Sequence, residues 1–218
     1  MADVKTDAQA ERLKAVVGGE RLVAVVRAPR ASDCEPVVET LVQAGICIIE
    51  LTLTTPGAIE ELQRLRDRFG TAAVLGMGTV LTRQSATQAM DAGAQFLVTP
   101  VLVREVIDEA NSRDVPVLSG ALSPTEIYES IVCGADAVKV FPASAVGPRY
   151  LRELSGPFPG ITLMPSGGVE IDDIAAWLSA GASAVSLGGS LIENAFDGEL
   201  SALRERALRA VAASHEAK

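Results

Sequence analysis

One lysine lies where a charged side chain is least expected. Lys139 occupies the middle of the run AVKVFP at 137–142, which is short, apolar and β-branched and is typical of a buried parallel strand. Burial disfavours the ammonium form of an amine and leaves a nucleophile suited to imine formation with a carbonyl substrate. The other lysines, at positions 5, 14 and 218, all lie in the terminal segments. Lys139 is therefore the candidate nucleophile. The structural alternative is a lysine at a strand end whose ammonium extends to solvent.

A glutamate has the same setting on another strand. Glu50 lies between Ile49 and Leu51 in the apolar run CIIELTL at 47–53. An amine and a carboxylate on two otherwise apolar strands are the pairing expected of a nucleophile and a general acid/base. The structural alternative is a buried ion pair, which often adds no net stability.

The segments that must position these side chains alternate between strand-like and helix-like patterns. Strands are predicted at 22–26, 47–53, 73–76, 96–99, 115–119, 137–141, 162–164 and 184–187. Helices are predicted at 7–18, 33–44, 56–69, 83–92, 104–113, from 124 onward, 148–154, 171–180 and 199–213. Eight strand–helix units in about 200 residues match the lower size limit of a (β/α)₈ TIM barrel. We expect one α/β domain over 1–218, with an extra N-terminal helix within 1–20 and a disordered tail at 214–218.

The competing architecture is an open, doubly wound sheet. No GxGxxG fingerprint follows the first predicted strand, and glycine loops follow the last two, which favours the barrel. In a barrel, alternate residues of each strand point into the lumen, and strands two and six face each other. Lys139 and Glu50 would then share one layer of the interior.

The two glycine loops predict an anion site. SGG at 166–168 follows the seventh strand, and GGS at 188–190 follows the eighth. Loops at these positions of a barrel commonly bind phosphate through backbone amides. GMGT at 76–79 offers further amides and a hydroxyl. Arg27, at the end of the first strand, is placed either to reach a carboxylate or to form a salt bridge at the rim.

Composition excludes several classes of partner. The chain has 19 basic and 28 acidic residues and a net charge of -9, which argues against a nucleic-acid or anionic-membrane partner. No window approaches the roughly 18 apolar residues of a membrane span, and 1–20 lacks a secretory segment, so a cytoplasmic location is expected. The three cysteines lack CxxC spacing and are interpreted as core residues. The only histidine, His215, lies near the C-terminus, which argues against a histidine-held zinc ion.

Six motifs follow one another along the chain. They are IELTL at 49–53, GMGTV at 76–80, VTP at 98–100, VKVFPA at 138–143, PSGGV at 165–169 and GGS at 188–190. Taken together, in this order and at this spacing, they resemble the motifs of the 2-keto-3-deoxy-6-phosphogluconate (KDPG) aldolases, and the resemblance runs from about Leu22 to the last helix. The resemblance implies a class I aldolase on a (β/α)₈ barrel, usually a homotrimer. It also implies a reaction that uses a covalent imine with Lys139 and needs no metal or other cofactor.

The resemblance further implies a role for each matching position. Lys139 would be the Schiff-base lysine and Glu50 the acid/base. The pocket for the pyruvyl group and its carboxylate would be formed by Arg27, Thr54, Thr79, Pro100, Phe141 and Ser166. The phosphate would be bound by Gly167, Gly168, Gly188, Gly189 and Ser190. The expected ligands are a phosphorylated keto acid, pyruvate and glyceraldehyde 3-phosphate, and neither nucleic acid nor membrane is expected as a partner.

Two positions depart from the family pattern. Thr54 stands where some members have arginine, so carboxylate binding would rest more on Arg27. Ser166 stands where many members have threonine. Thr54 and the segment SAVGP at 144–148 also occur in galactonate-type and hydroxy-oxoglutarate aldolases.

The predicted reaction is reversible cleavage of 2-keto-3-deoxy-6-phosphogluconate to pyruvate and glyceraldehyde 3-phosphate. The galactonate epimer and 4-hydroxy-2-oxoglutarate stay open as alternative substrates. More remote alternatives are a phosphosugar isomerase or epimerase, with Glu50 as the proton-abstracting base, and a non-catalytic phosphate-binding barrel.

Overall fold

The computed structural model describes Arg12, Lys14 and residues 19–216. Its eight strands are β1 (Leu22–Val26), β2 (Ile48–Thr52), β3 (Val74–Gly78), β4 (Leu97–Val98), β5 (Val117–Ala121), β6 (Ala137–Val140), β7 (Leu163–Pro165) and β8 (Val185–Leu187). All neighbours pair in parallel, in the order β7-β6-β5-β4-β3-β2-β1-β8. An isolated parallel bridge between Ser166 and Ser186 joins β7 to β8. The predicted (β/α)₈ barrel is confirmed.

Helices alternate with these strands along the chain. Within the described residues they are α1 (Cys34–Gln43), α2 (Ala58–Phe69), α3 (Arg83–Asp91), α4 (Arg104–Ser112), α5 (Pro124–Val132), α6 (Pro148–Ser155), α7 (Ile174–Ser179), α8 (Gly189–Ile192) and α9 (Leu200–Glu216). Single turns of 3₁₀ helix precede α1 at Ala31–Asp33 and α7 at Ile171–Asp173. The short helix α8 is an addition to the predicted elements.

The start of α5 shows how local sequence sets an element boundary. Ser123 is the N-cap, Pro124 occupies the first turn, and Glu126 completes a capping box, so the helix begins at 124 as predicted. The Glu126 carboxylate accepts hydrogen bonds from the backbone N–H groups of Ser123 (2.8 Å) and Leu122 (2.9 Å). These bonds favour the ionised form and hold the pKa of Glu126 below its usual value.

The strands divide the apolar core into two regions because successive side chains point to opposite faces. On β6, Val138 and Val140 pack outward against the helices, as predicted. The inward set forms a separate apolar cluster inside the barrel: Val23, Ile48, Phe96, Val98, Leu118, Ala137, Met164 and Ala184. This cluster fills the lower lumen, so the polar residues further along the strands lie nearer the mouth.

The predicted leading helix at 7–18 lies mostly outside the described residues. Arg12 and Lys14 are helical where they are described. Arg12 donates hydrogen bonds to Asp136 (3.0 Å) and Asn111 (2.8 Å), and Asp136 is fully buried just before β6. The ion pair between Arg12 and Asp136 therefore holds the Arg12 side chain at the end of the barrel where β6 begins.

The C-terminal prediction needs correction. Disorder was expected over 214–218, but α9 continues to Glu216. Ser214 is buried, and its hydroxyl donates to the carbonyl of Val211 (2.7 Å). The last turn of α9 therefore packs against the protein through Ser214, a polar residue that the apolar pattern of the helix does not include. Ala217 and Lys218 lie outside the described residues.

The three cysteines are free thiols. Cys34 is buried in the core, and that burial raises its pKa to about 12. Cys47 and Cys133 are partly buried, which also raises the pKa of each thiol. None of the described helices is long and apolar enough to cross a membrane. The cytoplasmic location stays a prediction.

Candidate active site

Lys139 and Glu50 meet inside the barrel. The Lys139 Nζ atom lies 3.3 Å from Glu50 Oε1 and 3.4 Å from Oε2. The side chains are 9% and 1% exposed, so both groups are withdrawn from bulk water. β6 and β2 bring them together because each residue is an inward position on its strand. The shared layer expected from the strand pattern is confirmed.

The Glu50 side chain occupies space that only a glycine on β3 leaves free. A Cβ atom placed on Gly78 would lie 1.9 Å from Glu50 Oε1, far inside van der Waals contact. Gly78 pairs with Thr52 in the β2–β3 register, so it lies directly beside the path of this side chain. A close backbone approach explains why the strand carries glycine here.

A cavity of about 620 Å³ opens above Lys139 at the ends of the strands. Nine of the predicted site residues line it: Arg27, Lys139, Phe141, Ser166, Gly167, Gly168, Gly188, Gly189 and Ser190. The Phe141 ring lies with its centroid 5.7 Å from Lys139 Nζ and walls one side. The amine is thus at the inner end of a pocket whose outer part is formed by the two glycine loops.

Arg27 is held by a threonine in the turn that follows the neighbouring strand β2. Its Nη1 atom donates to Thr54 Oγ1 at 3.0 Å, and Thr54 Oγ1 lies 3.0 Å from Thr52 Oγ1. Arg27 is exposed and lines the cavity, while Thr54 does not line it. The contact orients the guanidinium and leaves its remaining N–H groups available for an anion.

The glycine loops present backbone rather than side chains to the cavity. Gly167 has φ of +83°, and a Cβ atom there would lie 2.7 Å from the Phe141 ring. The loop therefore requires glycine for its conformation as well as for space. The Ser190 hydroxyl donates to the carbonyl of Val169 at 2.7 Å, which links the two loops. To donate to a bound anion, this hydroxyl must turn away from that carbonyl.

Besides Glu50 and Thr54, two further predicted residues, Thr79 and Pro100, lie apart from the cavity lining. Thr79 follows Gly78 and has φ of +61°, which is unfavourable for a β-branched residue and typical of functional positions. Pro100 packs against β5: a Cβ atom on Gly120 would lie 2.1 Å from the Pro100 carbonyl carbon. Their roles in binding a carboxylate and walling the pocket stay predictions.

Four polar residues in or near the pocket were absent from the predicted set: Ser186, Glu170, Glu193 and Asn194. Ser186 is an inward position of β8, and its Oγ accepts a hydrogen bond from Ser166 Oγ at 3.2 Å. Glu170 and Glu193 line the cavity beside the two glycine loops. Their negative charges oppose an anion at the mouth, so an anion in this pocket depends on loop amides and Arg27. The signal for Ser186 was present in the sequence, since it is a polar residue between Val185 and Leu187.

This arrangement supports covalent chemistry on a carbonyl group. A buried amine in hydrogen-bond contact with a carboxylate can lose a proton to it, attack a ketone and receive protons back. The arginine and the loop amides can fix anionic groups on either side of that ketone. Within the described part of the chain, no group of three or more His, Cys, Asp or Glu side chains could hold a metal ion.

Comparisons with known proteins agree with this geometry. The family model described as KDPG and KHG aldolase matches residues 13–204. The 2-dehydro-3-deoxy-6-phosphogalactonate aldolase of Escherichia coli is 32% identical over 171 residues, covering 78% of this chain and 83% of that protein. The 2-dehydro-3-deoxy-phosphogluconate aldolase of Pseudomonas aeruginosa is 34% identical over 160 residues, covering 73% and 72%.

A solved structure extends the comparison to the fold. It is a KDPG aldolase from Legionella pneumophila with pyruvate captured at low pH as a covalent carbinolamine intermediate. It superimposes with a TM-score of 0.82 at 28% identity, over 93% of this chain and 97% of that one. The matched family, the barrel and the buried amine–carboxylate pair lead to one conclusion: this chain belongs to the KDPG and KHG aldolase family and is an aldolase, a lyase.

Proposed function

We propose that the protein is a class I aldolase that reversibly cleaves 2-keto-3-deoxy-6-phosphogluconate to pyruvate and glyceraldehyde 3-phosphate. The observation that carries the proposal is the contact of 3.3 Å between Lys139 Nζ and Glu50 Oε1 at the inner end of the cavity. The reaction needs no metal in this proposal, because a protonated imine is itself the electron sink.

The first half of the reaction forms the imine. Glu50 takes a proton from Lys139 Nζ, and the neutral amine attacks the C2 ketone of the substrate. The carbinolamine then loses water, with Glu50 supplying the proton that the leaving hydroxyl needs. Arg27 and Thr79 hold the substrate carboxylate beside C2, and Phe141 and Pro100 wall the pyruvyl group.

The second half breaks the C3–C4 bond. Glu50, directly or through a water, accepts the proton of the C4 hydroxyl, and the C4 oxygen forms the aldehyde. The electron pair of the C3–C4 bond moves into the imine and gives an enamine on Lys139. Glu50 returns a proton to C3, and water hydrolyses the resulting imine to release pyruvate.

The outer part of the cavity supports binding of a phosphate at the far end of the substrate. Gly167 and Gly168 both have positive φ, so consecutive loop amides can turn toward one anion. The similar relatives carry both gluconate-type and galactonate-type names at nearly equal identity. Substrate preference at C4 is therefore tested directly, by comparing kcat/KM for the two epimers and for 4-hydroxy-2-oxoglutarate.

The proposal is tested by reducing the protein with borohydride in the presence of excess pyruvate, followed by peptide mass spectrometry. We expect a reduced pyruvate adduct on Lys139 and pyruvate release from the phosphorylated keto acid in an assay coupled to lactate dehydrogenase. An isomerase that used Glu50 as a base would turn over sugar phosphates without such an adduct. Folded protein that neither labels at Lys139 nor releases pyruvate would overturn the proposal.

A substitution at Gly78 tests the position of the Glu50 carboxylate, the proposed acid/base. Gly78→Ala is expected to displace the Glu50 carboxylate and to lower kcat by roughly 100-fold, since misplaced catalytic groups lose about that much. Steady-state kinetics check this. Gly156→Ala is the matched control, because Gly156 has helical φ and ψ and its added Cβ would meet only one atom, at 3.8 Å. Unchanged kcat in folded Gly78→Ala protein would contradict the position assigned to Glu50.

We also propose that the chain assembles as a homotrimer. Two apolar residues of α5, Tyr128 and Val132, are exposed, and Val132 is 64% exposed. Val101 is exposed as well, and Arg104 reaches Glu129 on α5, which puts these residues on one side of the barrel. Exposed apolar surface of this kind supports an interface. Light scattering on the wild type should give a molar mass three times that of the chain. Val132→Glu should lower this molar mass, since it places a charge in the interface. A monomeric wild type would contradict the proposal.

A further inference from the structure

A pair of buried serines connects the cavity to the barrel wall. Ser166 lines the cavity, whereas Ser186 is 1% exposed and cannot touch a ligand there. The hydrogen bond of 3.2 Å between them has Ser166 as the donor and Ser186 as the acceptor. The same two residues form the backbone bridge that joins β7 to β8, so their separation is set by the barrel.

The direction of this hydrogen bond decides what Ser166 offers to a substrate. A serine hydroxyl has one proton and two acceptor lone pairs. With the proton committed to Ser186, the Ser166 oxygen presents acceptor sites to the cavity. It can therefore accept a hydrogen bond from a substrate hydroxyl, whereas donating one to a carbonyl or phosphate oxygen would break its bond to Ser186.

The position of Ser166 indicates which part of the substrate it meets. Lys139 pairs with Met164 in the β6–β7 register, so Ser166 lies on the same face, one layer nearer the mouth. Gly167 and Gly168 follow it immediately. A substrate bound to Lys139 at C2, with its far end at the glycine loop, places its middle carbons and their hydroxyl groups beside Ser166.

We propose that Ser186 is a positioning residue for substrate selection: it orients the Ser166 oxygen as an acceptor that holds the C4 hydroxyl of the bound substrate before Glu50 takes its proton, and so sets the preference between C4 epimers. The inference rests on the proposed aldolase reaction. Removing the Ser186 hydroxyl frees the Ser166 proton to point into the cavity. The site then loses its fixed acceptor and with it part of its discrimination between the two configurations.

The test compares wild type with Ser186→Ala, Ser186→Cys and Ser130→Ala. Cysteine fills the space of the serine but is a weak acceptor, so it separates a lost hydrogen bond from a lost volume. Ser130→Ala is the matched control, because Ser119 and Ser130 form another buried serine pair (2.9 Å) away from the cavity. For each protein, kcat/KM is measured with the phosphogluconate and phosphogalactonate epimers.

We expect Ser186→Ala and Ser186→Cys to change the ratio of the two kcat/KM values by roughly five- to tenfold, the worth of one net hydrogen bond. Ser130→Ala should leave the ratio within about twofold of wild type, as substitutions at distant sites do. Pyruvate has no C4 hydroxyl, so borohydride trapping with pyruvate should be equally efficient in all four proteins.

The outcomes separate the inference from the reaction on which it rests. A wild type that cleaves the epimers, with an unchanged ratio in Ser186→Ala, overturns the role of Ser186 alone. If Ser186→Cys had the wild-type ratio of kcat/KM values, Ser186 would be a packing residue and the proposed role would be wrong. The same conclusion would follow if the variants lost borohydride trapping with pyruvate together with the ratio. Wild-type protein that releases no pyruvate from any substrate overturns the aldolase reaction and this inference together.

Discussion

Replacing Lys139 by alanine should lower kcat/KM by roughly 10⁴-fold or more, the loss typical of removing a covalent nucleophile. No other lysine lies in the body of the chain between positions 14 and 218, so no lysine on the other barrel strands can replace it. The coupled lactate dehydrogenase assay measures the loss, and borohydride trapping should yield no adduct on the variant. Near wild-type turnover of Lys139→Ala would end the imine mechanism.

The same substitution also affects stability, which the experiment must separate from catalysis. Without the ammonium, Glu50 is a buried carboxylate that has lost its ionic partner, and breaking a buried pair costs about 3–5 kcal/mol. Circular dichroism should show folded protein with a lower Tm. The matched control is the double variant Glu50→Gln with Lys139→Met, which removes both charges and keeps most of the volume. It should recover much of the Tm and none of the activity.

Glu50→Gln should lower kcat by about 10²–10⁴-fold, the usual contribution of a general acid/base. The amide keeps the size of the carboxylate, but it can neither accept the C4 hydroxyl proton nor supply one to the leaving water. KM should change much less than kcat, because Glu50 lies behind Lys139 and is absent from the cavity lining. Steady-state kinetics with the phosphorylated keto acid measure the two constants separately.

A second buried glutamate serves as the control for this prediction. Glu61 on α2 is buried and accepts two hydrogen bonds from Arg64, at 2.9 and 2.7 Å, outside the barrel. Glu61→Gln should lower stability without slowing turnover, so a fall in kcat in Glu50→Gln alone reports chemistry. If Glu50→Gln instead raised KM and left kcat unchanged, Glu50 would be a binding residue and the acid/base assignment would be wrong.

The catalytic pair was predictable from the sequence because a charged residue within an apolar, strand-like run is visible in the local sequence. Lys139 and Glu50 interrupt apolar strands, and the barrel pattern puts both on inward positions. The same rule finds Ser186, which also interrupts an apolar strand. Ser186 was overlooked because serine is small and neutral, so its position in an apolar strand does not by itself indicate a function. Its role depends on a hydrogen-bond partner that the sequence does not show. The partner, Ser166, is close only because β7 and β8 close the ring.

The boundaries that differed from prediction trace to tertiary contacts. β3 was expected to end at Gly76 but runs to Gly78, because its glycines give room to Phe96 and Glu50 rather than forming a turn. β5 was expected at 115–119 and lies at Val117–Ala121. Val115 still donates its N–H to Ala110 in the last turn of α4, so the strand starts later. Phe96 and Glu50 are distant in sequence from the glycines that they contact, and the strand pattern does not show that Val115 is bonded to the preceding helix.

The junction between β7 and β8 has a consequence for the thermodynamics of ligand binding. Its backbone contacts are the bridge between Ser166 and Ser186 and a hydrogen bond from Ser183 N to Leu163 O at 2.9 Å. The two glycine loops leave the barrel on either side of this junction. A phosphate held by both loops would act as a non-covalent cross-link between the strands. Phosphate binding and closure of the barrel at this junction are then thermodynamically coupled. Part of the free energy of phosphate binding therefore increases the free energy of unfolding of the barrel.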